Sequence, residues 1–270
     1  MSAGTQRFFV ELIALPMRVI AGAMSIARVG DPRVLHNLLW RLSGTAADAA
    51  AYLRHIYAQD TIRGREEACR LLATTDDARV FAEVANLERY YGNDLAVLRQ
   101  WRELAPPAGS RAPYLLYLDM LATDRRDELL TAAAEVLEHR DLPAYITEYA
   151  LFVSAWYAVQ DQAWQTAGRT VARVLSIREA RQFRVLNLAI AIGSGSADVT
   201  RQAELLRSDN RNDDTVSEAY AYALAGDQQG AARVLQRCSL DYLRAHTVPA
   251  ALQPIAASLT ARSEQDGRDA

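Results

Sequence analysis

The sequence predicts an all-α protein built from consecutive antiparallel helix pairs. Three observations carry this expectation. Half of the 270 residues are apolar, alanine is abundant, aromatics are modest at 8%, and β-branched residues are not gathered into alternating runs; such a composition favours helices over strands. Short polar or glycine-bearing breaks recur at Gly30, Gly64, Gly92, Asp124, Gln160, Gly193 and Gly226, at intervals of 34, 28, 32, 36, 33 and 33 residues. Two stretches with apolar positions at helical spacing flank each break, and no segment carries the alternation or turn chemistry of a hairpin.

The elements follow in order. Residues 1–29 form the most apolar segment, read as helical and split at Pro16. Glu11, Pro16 and Arg18 interrupt it, whereas a membrane span needs about 20 mostly apolar residues and a signal peptide an unbroken apolar centre. The segment is therefore expected to cap the rest of the domain. The alternative is that Phe8–Ala27 lies on a membrane surface or a membrane protein.

Residues 30–240 hold the helix pairs. Asp31 before Pro32 reads as an N-cap with proline at the first helical position. Asp94, Asp198 and Asp227 stand where a negative charge favours a helix start. The acidic pairs Glu66-Glu67, Asp76-Asp77 and Asp213-Asp214 read as capping or solvated groups near helix starts. His139 and Arg140 read as a helix end. The proline-rich linker Ala105–Pro113 is the candidate hinge or subdomain boundary, and Pro143 marks the next connection. Residues 241–262 are expected to form a C-terminal capping helix, and the polar residues 263–270 a disordered tail.

One stretch competes with the helical reading. In "LAIAIGSGSADVTRQAELL", Leu188–Leu206, an apolar run meets Gly-Ser-Gly-Ser and a helical pattern follows. Locally this resembles a strand, a phosphate-cradling loop and a helix. Yet Asp198 stands where the third glycine belongs, and its charge would oppose a phosphate. Gly193 also falls in register with the other breaks, so a turn between two helices is expected.

Composition closes several enzyme classes. All 30 basic residues are arginine, as a GC-rich bacterial genome would encode, and there is no lysine. A GxxxxGK[ST] phosphate loop, a kinase strand lysine and a Schiff-base lysine are thereby excluded. The net charge of -3 creates no field that implies nucleic acid. Cys69 and Cys238 are far apart and outside any CxxC pair, so neither a disulfide framework nor a zinc site is expected; both read as small buried thiols. His36, His55, His139 and His246 are scattered and form no metal-binding spacing. "HRD" at His139–Asp141 lacks the asparagine, lysine and glycine loop of a kinase site. No metal, cofactor or catalytic residue is expected.

The period near 34 takes on a family character in two places. Ser217–Leu240 carries small Ala219, aromatic Tyr222, Gly226-Asp227 at the turn, then Ala231, Leu235 and Cys238. Phe81–Pro106 carries Phe81, Val84 and Ala85, the turn Gly92-Asn93, then Trp101, Leu104 and the terminal Pro106. This order of small, aromatic, Gly-Asp, small, bulky and small residues resembles the tetratricopeptide repeat family. The resemblance implies a right-handed superhelical solenoid of about seven antiparallel pairs, with the first helix of each pair lining a concave face.

Such a face binds an extended peptide or a partner helix. The candidate groove residues are Arg79, Asn86, Arg89 and Tyr90 before the Gly92 break, and Arg181, Arg184 and Asn187 before the Gly193 break. Arginine's forked donors suit a peptide carboxylate or backbone. The same positions also suit ordinary solvated helix faces. The expected function is a non-enzymatic, cytoplasmic scaffold or adaptor. A membrane-associated assembly factor or chaperone is the alternative, and a helical enzyme a minor one.

Overall fold

The computed structural model describes residues 32–43, 45–106, 112–177, 180–207 and 211–266. Among the described residues there are fifteen α-helices, one short 3-10 turn and no strand, so the all-α expectation holds. The apolar segment 1–29, with Phe8–Ala27, lies outside the described residues, as do Gly30, Asp31 and Pro107.

The chain divides into two compact units, Met1–Ile146 and Thr147–Ala270. The first contains α1 (Pro32–Ser43), α2 (Ala46–Tyr57), α3 (Thr61–Leu72), α4 (Ala78–Tyr91), α5 (Leu95–Leu104), α6 (Ala112–Ala122) and α7 (Arg126–Glu138). Helix α8 (Ala144–Gln160) begins at its end and continues into the second. There follow α9 (Trp164–Leu175), α10 (Arg181–Gly193), α11 (Val199–Glu204), α12 (Arg211–Leu224), α13 (Gln228–Leu235), α14 (Leu240–Ala245), the 3-10 turn Ala250–Leu252, and α15 (Gln253–Asp266).

The division falls inside α8 rather than at the linker Ala105–Pro113. The reason is that α5 packs directly on α6 across that linker. Arg99 Nε donates to the Ala122 carbonyl at 3.0 Å, and Arg102 pairs with Asp119, so the linker joins helices that are already bonded.

Packing within each unit follows the helix pairs. In the first unit α2 packs against α3 and α4, α4 against α6, and α6 against α7. In the second, α9 packs on α10, α10 on α12, and α12 on α13. Helices α3, α5, α7, α9, α11 and α13 start after Asp60, Asp94, Arg125, Ala163, Asp198 and Asp227, at intervals of 34, 31, 38, 35 and 29 residues. Asp60, Asp94 and Asp227 accept backbone N–H bonds as N-caps. Asp198 occupies the same position without such a bond.

Gly64 is not a break. It lies inside α3, and the turn stands earlier, at Asp60. A Cβ at Gly64 would meet the Tyr57 ring at 2.7 Å; one at Gly230 would meet Tyr222 at 2.4 Å. In both pairs an aromatic of the first helix lies on a glycine of the second, which lets the backbones approach closely. Glu66 and Glu67 consequently sit in mid-helix, where Arg70 pairs with them.

The Gly-Ser-Gly-Ser stretch is a helix end. α10 stops at Gly193, and Gly195 is left-handed at φ +68. The Gly195 N–H donates to the Ile192 carbonyl, and the Ser196 N–H to that of Ala191. That pair of bonds is the Schellman motif. Gln162 (φ 56) and Gly226 (φ 86) build the same turn after α8 and α12. Gly193 has a separate cause: a Cβ there would stand 2.4 Å from the Trp164 indole.

The two units with motif character are well packed. Ala219, Ala231 and Leu235 are fully buried, and Cys238 joins them in one cluster with Leu243, Val248 and Leu252. Phe81, Val84, Ala85 and Trp101 are buried in the other. Cys69 is only half-buried and accepts the Trp101 indole N–H at 3.3 Å. Beyond α13 the chain forms α14, the 3-10 turn and α15, with Pro249 opening the turn; α15 includes the first residues of the expected tail.

Candidate functional site

Helix α4 carries the first group of expected groove residues, and α6 completes it. The exposed Arg79 lies over the Tyr114 ring, 5.4 Å from its centre, within cation–π range. Asn86 Oδ1 accepts the Tyr117 hydroxyl at 2.8 Å, and Arg89 Nη1 donates to the Tyr117 hydroxyl oxygen at 3.4 Å. Arg89 also lies 5.9 Å from the centre of the Tyr90 ring, which is 75% exposed. The structure thus gathers Arg79, Asn86 and Arg89 around the tyrosines of α6, while Tyr90 contacts Arg89 and is otherwise exposed.

Glu83 and Tyr145 belong to this face, although the sequence does not single them out. The Tyr145 hydroxyl donates to Glu83 Oε1 at 3.1 Å, and its ring meets that of Tyr117 edge-on at 5.3 Å. Positions 79, 83, 86 and 90 follow helical spacing, so one face of α4 holds them. Glu83 is the one acid on this stripe, between Arg79 and Asn86, and that was the available signal. Burial pushes the Glu83 carboxyl above its ordinary pKa, opposed by the Tyr145 hydrogen bond and the charge of Arg54. Burial and the negative charge of Glu83 push the Tyr145 hydroxyl upward as well.

The second group does not form one face. Arg181 Nη2 donates to buried Asp214 at 2.8 Å and to Ser217 at 3.1 Å, both on α12. Asn187 Nδ2 donates to Gln202 on α11 at 2.7 Å. Arg184 is half-buried between them in sequence. Arg181 and Asn187 therefore bind neighbouring helices in different directions. Asp213 and Asp214 are correspondingly more than solvated caps: Asp214 is the buried partner of Arg181, and Asp213 accepts the Tyr242 hydroxyl.

A second polar constellation has a structural character. Glu88, 0% exposed, accepts bonds from the Tyr57 hydroxyl at 3.2 Å, Arg65 Nε at 3.1 Å, Arg65 Nη2 at 2.7 Å and the Asp94 N–H at 3.2 Å. Four donors saturate the carboxylate. The cluster ties α2, α3, α4 and the cap of α5 together and leaves no side for a ligand.

Among the described residues no helix is long and apolar enough to cross a membrane. Compared with known proteins, the chain matches no family model, no curated protein and no solved structure.

Proposed function

We propose that this chain is a non-enzymatic interaction scaffold, a tetratricopeptide-like solenoid whose first helices hold a peptide or partner helix. The observation that carries the reading is the α4–α6 face of the first unit. There Arg79, Asn86 and Arg89 are already held by Tyr114 and Tyr117. A guanidinium resting on a ring loses less freedom on binding than a solvated one, and its outer edge offers paired donors to a carboxylate or peptide carbonyl. Exposed Tyr90 adds a rigid apolar surface with a polar tip beside them. The contacts between successive first helices support a continuous face within each unit. A cytoplasmic adaptor role accords with this chemistry.

The test is affinity capture from the native cell with mass spectrometry. Wild type is compared with an Arg79→Ala/Arg89→Ala double variant and with Arg184→Ala alone. A reproducible partner lost from the double variant and retained by Arg184→Ala is expected. Failure to capture any protein reproducibly, or equal capture by the double variant, overturns the assignment to the α4 face.

A further inference from the structure

A groove of about 690 Å³ runs along α5, α6 and α7, away from the α4 face. It meets α6 through Leu116 and Asp119, whereas Tyr114 and Tyr117 belong to the α4 side. Leu116, Ala122 and Ala132 supply apolar lining. The charged lining is unbalanced: five carboxylates face two guanidinium groups. Both arginines are occupied, Arg99 by Asp124 at 2.9 Å and the Ala122 carbonyl, Arg102 by Asp119. Glu128 accepts from Thr123 at 2.7 Å and pairs with Arg125 at 2.6 Å. Glu103, Asp127 and Glu135 remain, without an ion-pair partner among the described residues.

Spacing restricts what these carboxylates can hold. Asp127, Thr131 and Glu135 follow one stripe of α7, and the two acids stand about 12 Å apart along the axis by helical rise. Oxygen ligands of a single cation must lie within a few ångströms of it, so the pair does not share a metal ion. It does match two positive side chains separated by two turns of another helix. Apolar residues between those charges would then meet Leu116 and Ala132.

We infer that this groove docks a basic amphipathic helix of a partner protein, with arginine or lysine at i and i+7 facing Asp127 and Glu135. Charge complementarity selects that occupant: the lining charges left without an ion pair among the described residues are all carboxylates, and the two lining arginines are already paired. The apolar lining gives the helix its orientation, while the charges speed its approach and set its register. The α4 face has the opposite charge character, so the inference stands independently of the function proposed above.

The test uses the full chain and a labelled synthetic helix of about five turns, with leucine on one side and arginine at i and i+7. Fluorescence anisotropy should show saturable, equimolar binding that weakens as salt rises. Glu103→Gln/Asp127→Asn/Glu135→Gln should weaken it about ten-fold, since two exposed pairs of modest strength and a third attracting charge are lost. The control Asp198→Asn/Glu204→Gln/Asp241→Asn removes equal charge in the second unit and should leave it unchanged. Thr131→Trp keeps every charge, obstructs the groove and should abolish binding; circular dichroism verifies that each variant is folded. Equal weakening by the control triple, binding that survives Thr131→Trp, or absence of saturable binding overturns the inference. So does self-association through the groove that excludes the peptide, because the occupant would then be a second copy.

Discussion

Removing the Glu88 carboxylate should destabilise the first unit more than any other single polar change. Glu88 is completely buried and holds Tyr57, both reachable nitrogens of Arg65 and the Asp94 amide. Glu88→Gln keeps the shape but deletes the charge opposite Arg65. Arg65 retains Asp94 at 3.4 Å and is itself 26% exposed, so water and that second carboxylate compensate in part. A loss of about 2–3 kcal/mol is expected, below the roughly 3–5 kcal/mol for a fully buried pair deprived of one partner. Glu88→Ala also leaves the Tyr57 hydroxyl and the Asp94 N–H without an acceptor and should cost about 3–5 kcal/mol. Urea unfolding followed by helical circular dichroism and by tryptophan fluorescence measures this, with the slope checked for constancy. The double variant Arg65→Met/Glu88→Leu removes both charges and should be less damaging than Glu88→Ala, because no buried ion is left alone. A Glu88→Gln protein within about 0.5 kcal/mol of wild type would refute the reasoning, as that is the ordinary scatter of surface substitutions.

Other outcomes follow from single sites. Gly195→Ala should cost about 1–2 kcal/mol through its left-handed conformation, and Gln162→Gly, at the equivalent turn, should raise the melting temperature. Gly193→Ala should cost about 1–3 kcal/mol because its methyl group meets the Trp164 ring; Trp164→Leu should relieve that clash, as thermal melts of the double variant would show. Glu83 has a folded pKa raised above its ordinary 4.5, so its favourable contribution exists below that value and is lost as pH rises through the folded pKa. Glu83→Gln should therefore stabilise the protein at neutral pH, and the gain should disappear in acid. The hydrogen bond to Asp213 pushes Tyr242 from 10.0 up to about 12. Its contribution is complete below pH 10 and lost as pH rises towards 12, and Tyr242→Phe should flatten that part of the melting-temperature profile.

The fold was legible because its signals are local. Asp94 and Asp227 cap helices where their charge and position in the sequence place them, and the small residues of Ser217–Leu240 are buried as their order suggests. Gly64 misled because glycine has two uses that look alike in sequence, turning a chain and admitting a neighbour. Only the Tyr57 ring distinguishes them. Ala105–Pro113 looked like a boundary because its composition opposes regular structure, but composition carries no record of Arg99 and Arg102 reaching across to α6. Gly-Ser-Gly-Ser combines both uses of glycine two residues apart, at Gly193 and Gly195, and this combination is what gave it the outline of a phosphate loop.

The candidate site was less legible, for an electrostatic reason. In a chain whose only strong base is arginine, nearly every helix face displays one, and side-chain type alone cannot separate a ligand contact from a brace. Partners make the separation. Arg181 is a brace, since its donors end on Asp214 and Ser217 of the adjoining helix. Arg65 is a brace of a buried carboxylate. Arg79 rests on an aromatic face, which leaves its hydrogen-bonding edge open. The same criterion applied to acids sets Glu88, saturated by four donors, against Asp127 and Glu135, which line an open groove. Saturated groups hold the helices in register, and unsaturated groups on the rigid faces thus created are where recognition chemistry remains available.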